Sequence, residues 1–312
     1  MLSYALFEGR PLVTKGRWIN PLVFALFNLE KRLPQSRQVE KPIFILGTGR
    51  SGTTILGLVM SMHKQIGFLN EPKALWHAIY PYEDVIGSYS RGVGHYCLGA
   101  EEVTDDVRQS AHRLFGAYLT AVASRRVLDK YPELIFRVPF VRAIFPDARF
   151  ILLVRNGWDT CRSIEQWSNR EGMAVEQETH DWWGANNRKW NLLVEQVVKT
   201  DPAFAGIVDE VVKMTDHTDM AIVEWIAVMR QGLRLLNELP DCVHMVRYED
   251  MVSKPETSLP ELLKFCELPP DDKFLSYARQ TLSPAPPKPP FPVHLVLQPL
   301  FAETMIAMGY NV

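Results

Sequence analysis

The segment Ile43-Phe44-Ile45-Leu46-Gly47-Thr48-Gly49-Arg50-Ser51-Gly52-Thr53-Thr54 constrains the fold more than any other. Four consecutive β-favouring residues read as a strand and the glycine cluster as a tight turn. Ile55, Leu58, Val59 and Met62, at helical spacing, read as the helix that follows. An uninterrupted apolar strand needs cover on both faces, which a parallel sheet beneath helices provides. Gly47 and Gly52 have the GxxxxG spacing of a nucleotide phosphate loop, where successive N–H groups and a helix N-terminus meet an anion. In the nucleoside-triphosphatase form a Lys and a Ser/Thr follow the second Gly, one for the phosphates and one for Mg²⁺. Here Thr53 stands in the lysine's place and the cation comes earlier, as Arg50.

The same plan recurs downstream. The run Arg149–Val154 ends at Arg155-Asn156-Gly157 and precedes a helical stretch from about Asp159 to Trp167, while Val243–Arg247 follows the helical pattern Met220–Leu239. Strands alternating with helices predict an α/β fold, a P-loop-type doubly wound parallel sheet flanked by helices in a single domain, with ligands at the carboxyl ends of the strands. The stretches Asn70–Asp129 and Ser168–Lys199 read as mostly helical and loop-like, capping those ends. Residues 284–292 hold six prolines in nine, an extended tether; a short helix then runs to Met308, closed by Gly309. Residues 1–40 read as an N-terminal extension and 41–312 as the domain.

Composition narrows the ligand. With 34 Lys+Arg against 36 Asp+Glu, net -2, the chain has no bulk positive field, so no nucleic acid partner is expected. An anionic ligand must be held by a few placed cations and backbone N–H groups. Cys97, Cys161, Cys242 and Cys266 lie far apart without a CxxC pair or a Cys/His ligand spacing. Neither a disulfide framework nor a zinc site is indicated, and a reducing, cytoplasmic location is expected. The apolar stretch Trp18–Leu29, interrupted by Asn20 and Pro21, is too short to span a bilayer. It is expected to dock on the domain or a partner, with a weak membrane-surface contact as the alternative.

The string Arg50-Ser51-Gly52-Thr53-Thr54 resembles the 5′-phosphosulfate loop of the sulfotransferases that use 3′-phosphoadenosine 5′-phosphosulfate (PAPS). The segment Leu152-Leu153-Val154-Arg155 to Ser163 is similar to that family's 3′-phosphate motif, an Arg at a strand end followed eight residues later by Ser. With a helix starting near Asp159, both side chains can face one phosphate. Tyr248-Glu249-Asp250 resembles the family's YED segment, whose Tyr lies near the adenine, and Ala307-Met308-Gly309-Tyr310 resembles the C-terminal ending of the tyrosylprotein and related bacterial branches. The resemblance covers roughly residues 41–312. It implies PAPS as donor, adenosine 3′,5′-bisphosphate (PAP) as product and no metal requirement. Lys288, in the proline arm, is a further candidate to close over the nucleotide.

On the acceptor side, Phe136-Arg137-Val138-Pro139 has Arg137 where the cytosolic small-molecule branch has its His base, and an arginine cannot take up a proton at neutral pH. Leu69-Asn70-Glu71-Pro72, followed by Leu75-Trp76-His77, looks like the Glu-containing segment of the tyrosylprotein and carbohydrate branches. The resemblance implies Glu71 as general base, with Arg50 and Arg137 stabilising developing charge. His77 and His63 are rival bases, with a structural role expected for His63. Trp182, Trp183 and Trp190 read as either an acceptor wall or core packing. Glu176, Glu178 and Asp181 would suit a cationic acceptor or form a solvated face. The expected reaction is sulfuryl transfer to a hydroxyl, or less readily an amine, of a small-molecule or glycan-like acceptor. The competing readings are an ATP-dependent phosphotransferase and a non-catalytic nucleotide-binding scaffold. Oligomeric state stays open, a homo-oligomer included.

Overall fold

The computed structural model describes residues 19–175, 178–284 and 286–311. Its centre is a parallel sheet of β1 (Ile43–Gly47), β2 (Ile66–Asn70), β3 (Arg126–Lys130), β4 (Arg149–Val154) and β8 (Val243–Arg247), in the order β2-β3-β1-β4-β8. Alternate residues of the central strands feed opposite faces. Phe44, Leu46, Phe150 and Leu152 enter one apolar core, and Ile43, Ile45, Ile151 and Leu153 enter the other. That is the alternation of a strand covered on both sides. The chain runs from β1 outward to β2 and β3, then back to β4 on the other side of β1. This reversal opens a crevice at the carboxyl edge where β1 and β4 part, and the glycine loop and Arg155 stand there.

Two strands of this sheet escape the sequence reading. β3 reads Arg-Val-Leu-Asp-Lys, and its charges look like loop; yet Arg126, Asp129 and Lys130 are all buried, because each has a partner. Arg126 donates to the carbonyls of Lys41 and Cys266, Asp129 accepts from the Trp76 indole at 2.7 Å, and Lys130 pairs with Glu71. β2 is short and contains Gly67. The region expected to be helix and loop beyond Ser168 instead forms a small antiparallel sheet of β5 (Met173–Val175), β6 (Glu178–Asp181) and β7 (Gly184–Ala185) before the helix Arg188–Gln196.

Within the expected N-terminal extension, the helix Asn20–Glu30 buries Val23 and Phe27 in the core; residues 1–18 lie outside the described residues. The helix after β4 begins at Gly157, two residues before the expected start, because the Asn156 side chain caps it by accepting from the Trp158 N–H at 2.9 Å. The C-terminal helix is Gln298–Ala307, and Gly309 follows with φ 76°. Across the proline arm no helix or strand forms among the described residues.

Candidate active site

Two cavities meet at the glycine loop. One, of about 290 Å³, is lined by Arg50, Gly52, Thr53, Thr54, Arg155, Ser163 and Tyr248. Gly52 has φ 100°, and a Cβ there would lie 2.5 Å from the Tyr248 ring, so glycine is needed for both backbone and packing. Arg50 adopts φ 68° without being glycine, a conformation that costs about 1 kcal/mol, and its Nε donates to Ser163 Oγ at 3.3 Å. Burial, then the charges of Arg170 and Arg155, push the Arg50 guanidinium below its ordinary value, so an anion between these cations would relieve their repulsion.

Arg155 sits at the end of β4 with its guanidinium 4.4 Å from the centre of the Tyr248 ring and Nη2 3.3 Å from Asp159 Oδ2. Its buried Nε has no partner among the described residues, a donor that an incoming anion would satisfy. The turn is fixed from three directions. Trp225 Nε1 donates to the Arg155 carbonyl at 3.1 Å, the Asn156 N–H donates to Glu249 Oε1 at 3.1 Å, and the Tyr310 hydroxyl donates to Glu249 Oε2 at 2.8 Å. The Glu of the YED segment and the C-terminal Tyr therefore hold the strand end that carries Arg155. Ser51 is buried, and its hydroxyl lines neither cavity.

The second cavity, of about 270 Å³, shares Arg50, Thr53 and Thr54 with the first and is lined further by Glu71, Lys73, Lys130, Glu133, Trp167, Asp181, Trp182, Lys189 and Glu224. Glu71 follows β2 with φ 55°, and its N–H donates to the Lys130 carbonyl at 2.7 Å. From there charges alternate in sign across the cavity. Lys130 Nζ donates to Glu71 Oε1, while Lys73 Nζ lies 3.7 Å from Glu71 Oε2 and 3.6 Å from Glu133 Oε1. Lys189 Nζ lies 2.6 Å from Glu224 Oε1, and Glu224 Oε2 accepts from Trp182 Nε1 at 2.7 Å. Burial pushes the Glu133 carboxyl up, but Lys73 and Lys189 outweigh it and hold the group below the usual carboxylate value. Burial likewise pushes Lys189 down, and Glu224 and Glu133 outweigh it.

Arg137 is not among the residues lining either cavity. The expectation of a charge-stabilising guanidinium there is corrected by its surroundings. It is buried, pairs with Glu83 at 3.0 Å, and donates to the carbonyls of Tyr96, Glu83 and His95 at 3.2, 2.8 and 2.9 Å. The strap 83–96 that it grips has little regular structure and is held by side chains almost throughout. Asp84 accepts from the N–H groups of Gly87, Ser88, Tyr89 and Ser90, Arg188 donates to the carbonyls of Asp84 and Gly92, and Gln196 donates to that of Gly94. Ile86 and Tyr96 of this strap form part of the second cavity's wall.

The rival bases face elsewhere. His63 bonds the Pro269 carbonyl at 3.0 Å, and His77 packs edge-on against Phe24 and beside Tyr89. Of the three tryptophans, Trp182 lines the second cavity and lies over Gly49, while Trp183 and Trp190 are core. Trp167, 5.4 Å from Trp182 centre to centre, is an aromatic wall residue the sequence reading did not single out. Asp181 lines the cavity, Glu178 pairs with Arg91 at 2.7 Å, and Glu176 lies outside the described residues. Lys288 lines neither cavity. Its N–H donates to Asp159 Oδ1 at 2.8 Å and its ammonium to Gln166 Oε1 at 3.3 Å, so the arm lies on the helix face that carries Ser163. Lys73, Lys130, Glu133, Lys189 and Glu224 were also missed.

Residues 42–203, just over half of the chain, match a family model described as the sulfotransferase family. Over 265 residues the chain is 24% identical to an uncharacterised protein of Aquifex aeolicus, covering 82% of this chain. Over 128 residues it is 30% identical to the nodulation protein NoeE of Sinorhizobium fredii, covering 39% of this chain. These matches span only 29% and 30% of the relatives' own lengths. Among solved structures, the sulfotransferase domain from the curacin biosynthetic pathway aligns with TM-score 0.52 at 17% identity, over 88% of this chain and 99% of that one. A sulfotransferase from Mycobacterium avium aligns with TM-score 0.53 at 14% identity, over 95% and 83%. At these identities the likeness is one of fold.

Proposed function

Because the chain belongs to the sulfotransferase family, we propose that it moves the sulfuryl group of PAPS to a hydroxyl, or less readily an amine, of a small or glycan-like acceptor, releasing PAP. The observation that carries this reading is the convergence of the two cavities on Arg50, Thr53 and Thr54, which line both. A nucleotide on one side and an acceptor on the other would meet there and nowhere else in these two cavities.

The donor supplies an activated sulfuryl group. Arg50, Ser51, Gly52, Thr53 and Thr54 form the loop for its 5′ end. Arg155, whose Nε has no partner among the described residues, and Ser163 take the 3′-phosphate, and Tyr248 lies against the adenosine, with Lys288 closing from the arm. As the bond from acceptor oxygen to sulfur forms and the bond from sulfur to phosphate oxygen breaks, the acceptor proton passes to the Glu71 carboxylate. Charge growing on the leaving oxygen is met by Arg50 and by Lys130, which takes the role expected of Arg137. Trp167 and Trp182 offer aromatic faces to a ring-shaped acceptor.

Incubation with PAPS and a panel of hydroxylated metabolites, sugars and tyrosyl peptides, read by mass spectrometry, tests this reading. A sulfate adduct with release of PAP is expected. Phosphate transfer from ATP with Mg²⁺, alongside no transfer from PAPS, would overturn it.

A further inference from the structure

The helix Asn20–Glu30 carries apolar side chains on two sides. Val23 and Phe27 are buried, and the helix packs against Lys73–Ile79 and Asp105–Ala121. On the other side Leu22 and Leu29 are 66% and 56% exposed, with Ala25 exposed between them and Leu33, 50% exposed, in the turn that follows. Spacings of three and four residues place Leu22, Ala25 and Leu29 on one stripe. Scattered single leucines at a surface are ordinary, but a helix apolar on both sides is one that expects cover on both.

Charge indicates what covers it. Residues 1–40 hold six Lys and Arg against three Glu, a local excess of three positive charges in a chain whose net charge is -2. A second copy docked on this face would bring two such segments together against their repulsion. A surface of anionic lipid meets both requirements at once, taking the leucines into its headgroup and acyl boundary and the basic groups against its phosphates. No helix among the described residues is long and apolar enough to cross a membrane, so the contact lies in the plane of the surface. From this stripe and its basic setting we infer that the Asn20–Glu30 helix docks the protein on an anionic bilayer, a surface function separate from group transfer.

Co-sedimentation of the full chain with phosphatidylcholine vesicles, and with vesicles of equal parts phosphatidylcholine and phosphatidylglycerol, tests this. The anionic vesicles should carry the protein down at low salt, with binding weakened by added salt. Leu22→Glu/Leu29→Glu, two exposed sites whose change leaves nucleotide binding intact, should reduce that binding at least about tenfold. Three results would overturn the inference: no sedimentation of the wild type with anionic vesicles, equal sedimentation of the double variant, or a wild-type dimer in vesicle-free solution that the double variant dissociates. The last would assign the stripe to a second copy.

Discussion

Lys130 and Glu71 meet at the carboxyl edge of the sheet because β2 and β3 are in parallel register there. Asn70 stands opposite Lys130, the Glu71 N–H reaches the Lys130 carbonyl at 2.7 Å, and the Lys130 ammonium donates to the Glu71 carboxylate. The proposed base and the proposed cation for the leaving group are thereby set side by side by backbone hydrogen bonds rather than by side-chain chance.

Replacement of this carboxylate gives the most direct test of the proposed chemistry. Glu71→Gln keeps the shape and removes the basic oxygen, so PAP affinity by calorimetry should persist while turnover falls by about 10² or more. Unchanged turnover would move the base to another residue.

Arg155→Ala should weaken PAP binding by about 1.5 to 3 kcal/mol, the range for a hydrogen bond to a charged group. Titration calorimetry reads this directly, and equal affinity would remove the 3′-phosphate assignment.

Gly52→Ala places a methyl group 2.5 Å from the Tyr248 ring at a φ of 100°. The backbone strain alone costs about 1 kcal/mol, and the ring must shift as well. A loss of PAP affinity is expected, with a smaller change in acceptor KM.

Arg137→Ala breaks a buried ion pair and frees three carbonyls of the strap 83–96. Denaturant unfolding should show a loss of about 3 to 5 kcal/mol. In the fraction that stays folded, acceptor KM should rise while PAP affinity holds; a PAP affinity that collapses with no change in stability would return Arg137 to the donor site.

Burial raises the Glu83 carboxyl to about 7, against the opposing pull of Arg137. Between its unfolded value near 4.5 and about 7 the folded state holds the extra proton. The contribution to stability is therefore full below pH 4.5 and lost as pH rises through 7. Compared with Glu83→Gln, the wild type should be favoured by up to about 3 kcal/mol more at pH 4.5 than at pH 8, read from unfolding midpoints at both. A difference independent of pH would contradict this assignment.

Much of the proposed donor side could be read from the sequence because its residues are local. The loop Gly47–Thr54 and the pair Arg155 and Ser163 are each contiguous with a strand, a turn and a helix, and Tyr248 opens the helix after the last strand. The proposed acceptor side was legible at Glu71, Asp181 and Trp182. Its other charged members come from β3 and the turn after it, from the helices Lys73–Ile79 and Arg188–Gln196, and from within His217–Glu238. In one dimension Lys130, Glu133, Lys189 and Glu224 look like ordinary surface charges.

By itself the sequence determined the alternating α/β plan and the glycine loop between β1 and its helix, because apolar runs and glycine spacing are read over a few residues and their physics is local. Only the tertiary structure decided which charges are buried together. It gave β3 its place in the sheet despite three charged residues, put Lys130 beside Glu71, and turned Arg137 away to hold the strap. The reason is that a charge leaves water only where a partner is already positioned, and these partners lie tens of residues away along the chain.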